Sequence, residues 1–403
     1  MSNPLSTLPL IKGVAGPQTH SATISQSLRV TICLGPDAGK TLDTGKKVIV
    51  IGRAETADVR LVDPAVSQFH VELSVVPTGV CVQDLKSRNG VWHSGAQLDR
   101  AVVPSGALLT MGGSTLRVEP VLAQASPPPV VSHFGHLVGE SASMRALFPL
   151  LARLAPTDLS VLIEGDTGTG KGEVAQALHG CSARAGKPFV VLDCTLLPEN
   201  LAPSLLFGHE RGAFTGAIEK RIGAFEAAQG GVLFMDEIGE LSPAVQAMLL
   251  RAVQYREITP VGSTKKRSVD IRILSATWRD LRSLVNAGAF REDLYYRLAG
   301  ATIRLPTLAQ RIDDIPLLVE SMLRRLSNET HAARAIAPEA LAALGQRPFP
   351  GNVRQLHFLV ERLARLAAGP TITMAELEME QVLSGLRDRT EAPQKPEIGR
   401  AHV

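Results

Sequence analysis

The 403 residues exceed the size at which a single hydrophobic core stops growing, so two or more domains are expected. Apolar residues make up 45% and charged residues 20%, a soluble globular balance, and 42 Lys and Arg against 39 Asp and Glu leave a net charge of +3. That surplus is too small to drive nucleic-acid binding by bulk electrostatics. The four cysteines, Cys33, Cys81, Cys181 and Cys194, lack metal-ligand spacing and read as buried small hydrophobes in a reducing compartment. No apolar run reaches the length of a membrane span, and MSNPLSTLPLIKG lacks a signal-peptide pattern, so a cytoplasmic protein without membrane contact is expected.

In chain order, residues 1 to 25 are rich in Ser, Thr, Pro and Gly without periodicity and read as disordered. Residues 26 to 119 carry short β-rich runs such as KKVIVIG, GVCVQDL and ALLTMGGSTLRV between turn residues, which predicts an all-β sandwich. A Pro-rich stretch then marks residues 120 to 135 as a semi-stiff linker. Beyond it, SVLIEG, FVVLDC, GVLFMDE, IRILSAT and ATIRLP are continuous apolar runs with helical stretches between them. They predict the buried strands of a doubly wound parallel sheet over residues 136 to 306. Residues 307 to 370 read as a small helical lid, with Asn352 as N-cap ahead of an apolar face made by Val353, Leu356, Val360 and Leu363.

GDTGTGKG, residues 165 to 172, lies between a predicted strand and a predicted helix. Gly165, Gly168 and Gly170, with Asp166, Thr167, Thr169 and Gly172 between and beside them, would curl backbone N–H groups round phosphates, and Lys171 would meet the β and γ phosphates. Gly172 stands where such loops usually place a magnesium-binding hydroxyl. Asp236 and Glu237 end an apolar strand at the same sheet edge; Asp236 would hold Mg2+ and Glu237 would orient the attacking water. Loop and carboxylates together specify a nucleoside triphosphatase. Arg291 and Arg297 in FREDLYYRL fit fingers supplied in trans within a ring, though taken alone such arginines are more often surface salt-bridge partners. In FGHERGAFTGA, Gly212 and Gly216 permit a tight turn that projects Phe214 from the surface, a position that makes sense as a contact with something else.

These motifs, in the order GDTGTGKG, FGHERGAFTGA, GGVLFMDEIGEL, FREDLYYRL and FPGNVRQL, resemble the AAA+ domain of sigma-54-dependent transcription activators over residues 136 to 370. The resemblance implies a homo-hexameric ring ATPase that remodels the closed promoter complex of sigma-54 RNA polymerase holoenzyme through the loop Gly212, Ala213, Phe214, Thr215, Gly216 and Ala217. It also implies that Arg291 and Arg297 are trans fingers and that Arg354 is the sensor arginine of the lid. Several positions depart from the family: Asp193 and Trp278 stand where Asn is usual, which puts turnover or its coupling in question, and LPTLAQR lacks the first Arg of the usual LPPLRER. Gly172 is less damaging, since the family commonly has Glu there.

The sandwich resembles the forkhead-associated domain, through Gly52 with Arg53, Ser67 with His70, and Asn89 with Gly90. That implies binding to a phosphothreonine-containing protein. Arg53 would give bidentate charge-assisted hydrogen bonds to the phosphate, Ser67 a hydroxyl donor, and Asn89 a grip on the peptide backbone, while His70 braces the loop.

Three readings follow: an activator gated by phosphothreonine recognition, a phosphopeptide-binding signalling scaffold with an impaired ATPase, and another AAA+ remodelling machine. Intact GAFTGA weighs against the last, and intact Lys171, Asp236, Glu237 and the arginine pair against the second. Residues 371 to 403 fall short of a complete helix-turn-helix. Their last six, IGRAHV, match the translation of a common sequencing-library adapter, so the natural protein is expected to continue into a DNA-binding domain absent from this chain.

Overall fold

The computed structural model describes residues 24–124, 131–330 and 334–390, which divide into two units at Pro128 and Pro129. Residues 1 to 23, the middle of the proposed linker and the final IGRAHV lie outside the described residues.

The first unit is a sandwich. One sheet orders its strands Thr41–Asp43, Ile24–Leu34, Ser114–Gln124, Ala107–Met111, Val91–His93 and Ala96–Leu98. The other runs Val59–Arg60, Val48–Gly52, Val71–Val76, Gly79–Asp84 and Arg100–Val103. Alternation sets which face is buried: along Ala107–Met111, Ala107, Leu109 and Met111 point inward while Leu108 is exposed. Leu28, Val30, Ile49, Ile51, Leu73, Val82 and Leu116 complete the layer between the sheets. Each such side chain contributes roughly 1.5–3 kcal/mol on leaving water. The strand ending at Gln124 carries the sandwich past the expected boundary at residue 119.

The second unit holds a five-stranded parallel sheet in the order Phe189–Asp193, Val232–Asp236, Arg272–Thr277, Val161–Glu164, Ala301–Arg304. These are the five predicted strands. Val161–Glu164 and Arg272–Thr277 are buried throughout because both faces are covered, which is why their sequences run apolar without alternation. Arg272–Thr277 lies between the strand that leads into the glycine loop and the strand that ends at Asp236. The carboxyl ends of all three therefore converge on one edge. Within Arg272–Thr277, the buried Arg272 donates to the carbonyls of Leu154, Ala155 and Leu159, closing the end of helix Ala142–Leu154.

The lid packs helices Ile315–Thr330, Pro338–Gly345, Asn352–Leu366 and Met374–Thr390 round Leu308, Val319, Leu344, Leu356, Val360 and Leu363. Three expectations change. Gly351, not Asn352, occupies the N-cap position, and the Asn352 side chain is engaged elsewhere. The lid does not stop at residue 370: Thr371–Ile372 pairs in parallel with Ala335–Ile336, Ile372 and Leu377 are in the lid core, and Glu380 bonds Arg347 and Arg362. Of the cysteines only Cys194 is buried, and Cys181 is exposed. Among the described residues no helix is long and apolar enough to cross a membrane.

Candidate functional site

The glycine loop turns back on itself through Gly168 and Gly170, whose φ angles of 79° and 102° are unstrained only for glycine. Gly170 then opens helix Lys171–Gly180. Lys171 is only 6% exposed, and its Nζ donates to the Gly165 carbonyl at 3.0 Å, with the Asp166 carbonyl at 3.5 Å. The same Nζ lies 3.2 Å from Glu237 Oε1. Asp236 Oδ1 accepts from the Glu237 N–H at 3.0 Å, and Glu237, in the left-handed region at φ 52°, receives the Trp278 N–H on Oε2 at 3.1 Å. Glu237 is thus oriented from both sides, by the Lys171 charge at the end of the loop and by the amide that follows strand Arg272–Thr277. The Trp278 contribution comes from its backbone; the indole is exposed, with Arg279 5.4 Å from its ring centre.

A cavity of about 500 Å³ opens here. Its polar side brings together Thr167, Gly168, Thr169, Gly170, Lys171, Gly172, Asp236, Glu237 and Arg354, and its apolar side is formed by Leu137, Val138, Leu305, Leu318 and Met322. An apolar slot beside a nest of backbone N–H groups suits a base at one end and phosphates at the other. Gly165 and Asp166 stand behind the cavity and act through their carbonyls on Lys171.

The lid is fastened to this loop by a side chain that the sequence reading assigned to another task. Asn352, buried and at φ 52°, donates from Nδ2 to the Thr167 carbonyl at 3.0 Å and accepts the Leu308 N–H on Oδ1 at 2.8 Å. The Arg354 N–H reaches the Gly168 carbonyl at 3.1 Å, and a Cβ on Gly168 would lie 2.2 Å from the Gly351 carbonyl oxygen. Gly168 serves close approach as much as the turn.

Arg291 and Arg297 are not brought into the cavity of their own chain. Both are exposed; Arg291 forks onto Asp293 at 2.7 and 3.0 Å, and Arg297 makes no ion pair among the described residues. Asp193 faces Asp236 across the strand pair, but its Oδ1 accepts from Thr195 N–H and Oγ1 at 2.9 and 2.6 Å, capping the turn Cys194–Leu196. Burial, then the neighbouring carboxylates of Asp193, Asp236 and Glu237, push the Cys194 thiol up, so it stays protonated.

The segment 212 to 217 is a tight turn closed by the Gly212 N–H to the Ala217 carbonyl at 2.8 Å and the Ala217 N–H to the Phe214 carbonyl at 2.9 Å. Phe214 is 43% exposed, with its ring 5.0 Å edge-on to His209, which is held by Ser204 at 2.7 Å. Thr215 stands exposed beside it.

At one end of the sandwich, Gly52, Arg53, Ser67, His70, Asn89 and Gly90 meet. A Cβ on Gly52 would sit 2.0 Å from the Gln68 carbonyl oxygen, so this close backbone approach requires glycine. His70 accepts the Ser67 N–H on Nδ1 at 3.0 Å and donates from Nε2 to the Gly90 carbonyl at 3.1 Å. Only the neutral Nε2–H tautomer satisfies both, and burial holds its pKa below the usual histidine value. Ser67 Oγ accepts the Arg88 N–H at 3.0 Å, which leaves its own proton to donate, while Arg53 is exposed. Asn89 Nδ2 is already bonded to the Ala65 carbonyl at 2.7 Å, which leaves its oxygen for a ligand amide.

Residues 137–304 match the family described as the sigma-54 interaction domain, residues 309–394 the AAA+ ATPase lid domain, and residues 31–121 the cytoplasmic domain of an inner membrane component of T3SS. The transcriptional regulatory protein ZraR of Salmonella typhi is 46% identical over 271 residues, 67% of this chain and 61% of its own length. The Nif-specific regulatory protein of Rhizobium meliloti is 47% identical over 60% of this chain and 44% of its own length. The chain therefore spans less than two thirds of these curated relatives. NtrX from Brucella abortus, solved in complex with ATP, aligns with a TM-score of 0.54 at 36% identity over 65% of this chain and 62% of its own. Glycine loop, paired carboxylates and lid agree with the matched families: residues 137–304 and 309–394 belong to the sigma-54 interaction domain and AAA+ lid families, the AAA+ class of the sigma-54-dependent activators.

Proposed function

We propose that the protein hydrolyses ATP in a ring and uses the stroke to remodel the closed complex of sigma-54 RNA polymerase, under control of phosphothreonine recognition by the sandwich. The observation that carries it is the meeting of Lys171, Asp236 and Glu237 in one cavity from which Arg291 and Arg297 are absent. Lys171 binds the β and γ phosphates, and Glu237 accepts a proton from the attacking water and aligns it with the γ phosphorus. Arg354 reports the phosphates to the lid. A neighbouring protomer's Arg291 and Arg297 supply the charge that the transition state requires. Among the described residues no protein-only metal cluster occurs, and Asp236 with the phosphates suits magnesium, which prefers one or two carboxylates plus substrate oxygens. When bound, that ion neutralises phosphate charge.

Phe214 and Thr215 contact sigma-54, and Arg53, Ser67 and Asn89 hold a phosphothreonine peptide. The scaffold reading draws on Asp193, whose carboxylate is committed to Thr195 rather than Glu237. Turnover decides between them: specific ATPase activity should rise with protein concentration as rings assemble and should vanish in Lys171→Ala. A parent chain that binds no ATP at any concentration would leave the scaffold.

A further inference from the structure

Arg311 belongs to none of the roles above. Its side chain is 5% exposed and lines the nucleotide cavity, placed there by its own kinked backbone, φ −139° and ψ 45°, inside the turn Leu308–Asp314. Nη2 donates to the Thr169 carbonyl at 2.7 Å, inside the glycine loop, and Nη1 to Met144 Sδ at 3.3 Å. Nε has no hydrogen-bond partner among the described residues. Asp314, the carboxylate that acts on this charge, has its oxygens engaged by the N–H groups of Glu140 and Ser141 and by Ser141 Oγ.

A buried guanidinium with one strong neutral acceptor, one sulfur and no direct ion pair is costly to the fold. Burial accordingly lowers its pKa. An apolar side chain of similar length would avoid that cost, and Met144 and Leu305 already supply apolar surroundings to the cavity.

We propose that Arg311 is a positioning residue for the nucleotide: it holds the Thr169 carbonyl so that the loop's amides face the phosphates, and its unpaired charge is met by the anionic ligand. The inference rests on the nucleotide reading above and adds a second lid arginine, acting through Thr169, to Arg354. Its signature is a pair of opposite effects. Removing the charge relieves the nucleotide-free fold while weakening the complex.

The test is calorimetric titration of ADP and a non-hydrolysable ATP analogue into the full chain, with thermal melts beside it. Arg311→Met should raise both dissociation constants about tenfold or more, with a nucleotide-free melting temperature at or above the parent's, and Arg311→Lys should return to within about threefold of the parent. Arg311→Met binding within about twofold of the parent, or Arg311→Lys as weak as Arg311→Met, overturns the proposal. Should Arg311→Met not fold, Arg311→Gln is judged by the same criteria. A parent chain that binds neither nucleotide brings down the nucleotide reading itself, whereas a binding parent with an indifferent Arg311→Met brings down only this inference.

Discussion

Asn352 offers the sharpest quantitative prediction, because its two candidate roles give different costs for the same substitutions. As a helix N-cap, Asn352→Ala would cost about 1 kcal/mol and Asn352→Gly only a few tenths. In the structure the side chain instead bridges the Thr167 carbonyl and the Leu308 N–H at a site 4% exposed. Removing it strands the buried Leu308 N–H, at about 1–3 kcal/mol, and takes from the part-buried Thr167 carbonyl a hydrogen bond worth about 0.5–1.5 kcal/mol. Asn352→Gly should therefore cost about 1.5–4.5 kcal/mol. Asn352→Ala should cost about 1 kcal/mol more than that, because φ is 52° and alanine is strained there where glycine is not. For a unit of this size, roughly 2–4 °C of melting temperature accompanies each kcal/mol, so shifts of about 3–20 °C are expected in scanning calorimetry. Asn352→Gly within about 0.5 kcal/mol of the parent would refute the bridge and restore the cap.

Glu237→Gln and Arg297→Ala should each be inactive in ATP hydrolysis, yet an equimolar mixture should recover activity, because about one quarter of randomly mixed interfaces pair an intact Glu237 with an intact finger; no recovery would mean that Arg297 does not act in trans. Arg53→Ala should lose about 2 kcal/mol or more of affinity for a phosphothreonine peptide while leaving the unphosphorylated peptide unbound, as titration calorimetry would show. His70 has a folded pKa depressed by burial, so the sandwich should keep its full stability above about pH 6.5 and lose it as the pH falls towards the folded value, since the unfolded chain takes the proton first. A melting temperature of the sandwich that rises on acidification from pH 7 to 5 would contradict this.

What could be read from the sequence follows the range of the interactions concerned. The sheet strands were legible because burial on both faces writes unbroken apolar runs, and the glycine loop because its chemistry is local to eight residues. Asn352 and Arg311 were not, because their partners Thr167 and Thr169 lie 185 and 142 residues away. Nothing near either residue marks the link, although the Gly351–Asn352 pair is a frequent site of left-handed backbone. The end of the lid was misplaced for the same reason. Thr371–Ile372 is a strand only because Ala335–Ile336 lies beside it, and the helix after it is anchored by Leu377 and Glu380 rather than by a strong apolar stripe. The cysteines show the opposite failure: hydrophobic character alone does not say which face of an element a residue occupies.

Promoter opening tests the central claim most directly. Purified chain and ATP would be added to sigma-54 holoenzyme on a fully paired promoter, and strand separation followed by permanganate reactivity, with Thr215→Ala in parallel. The account predicts opening by the parent that requires hydrolysable ATP, and a Thr215→Ala protein that hydrolyses ATP at close to the parental rate without opening the promoter. Opening by Thr215→Ala at the parental rate, or a parent that hydrolyses ATP and leaves the promoter closed, would contradict it.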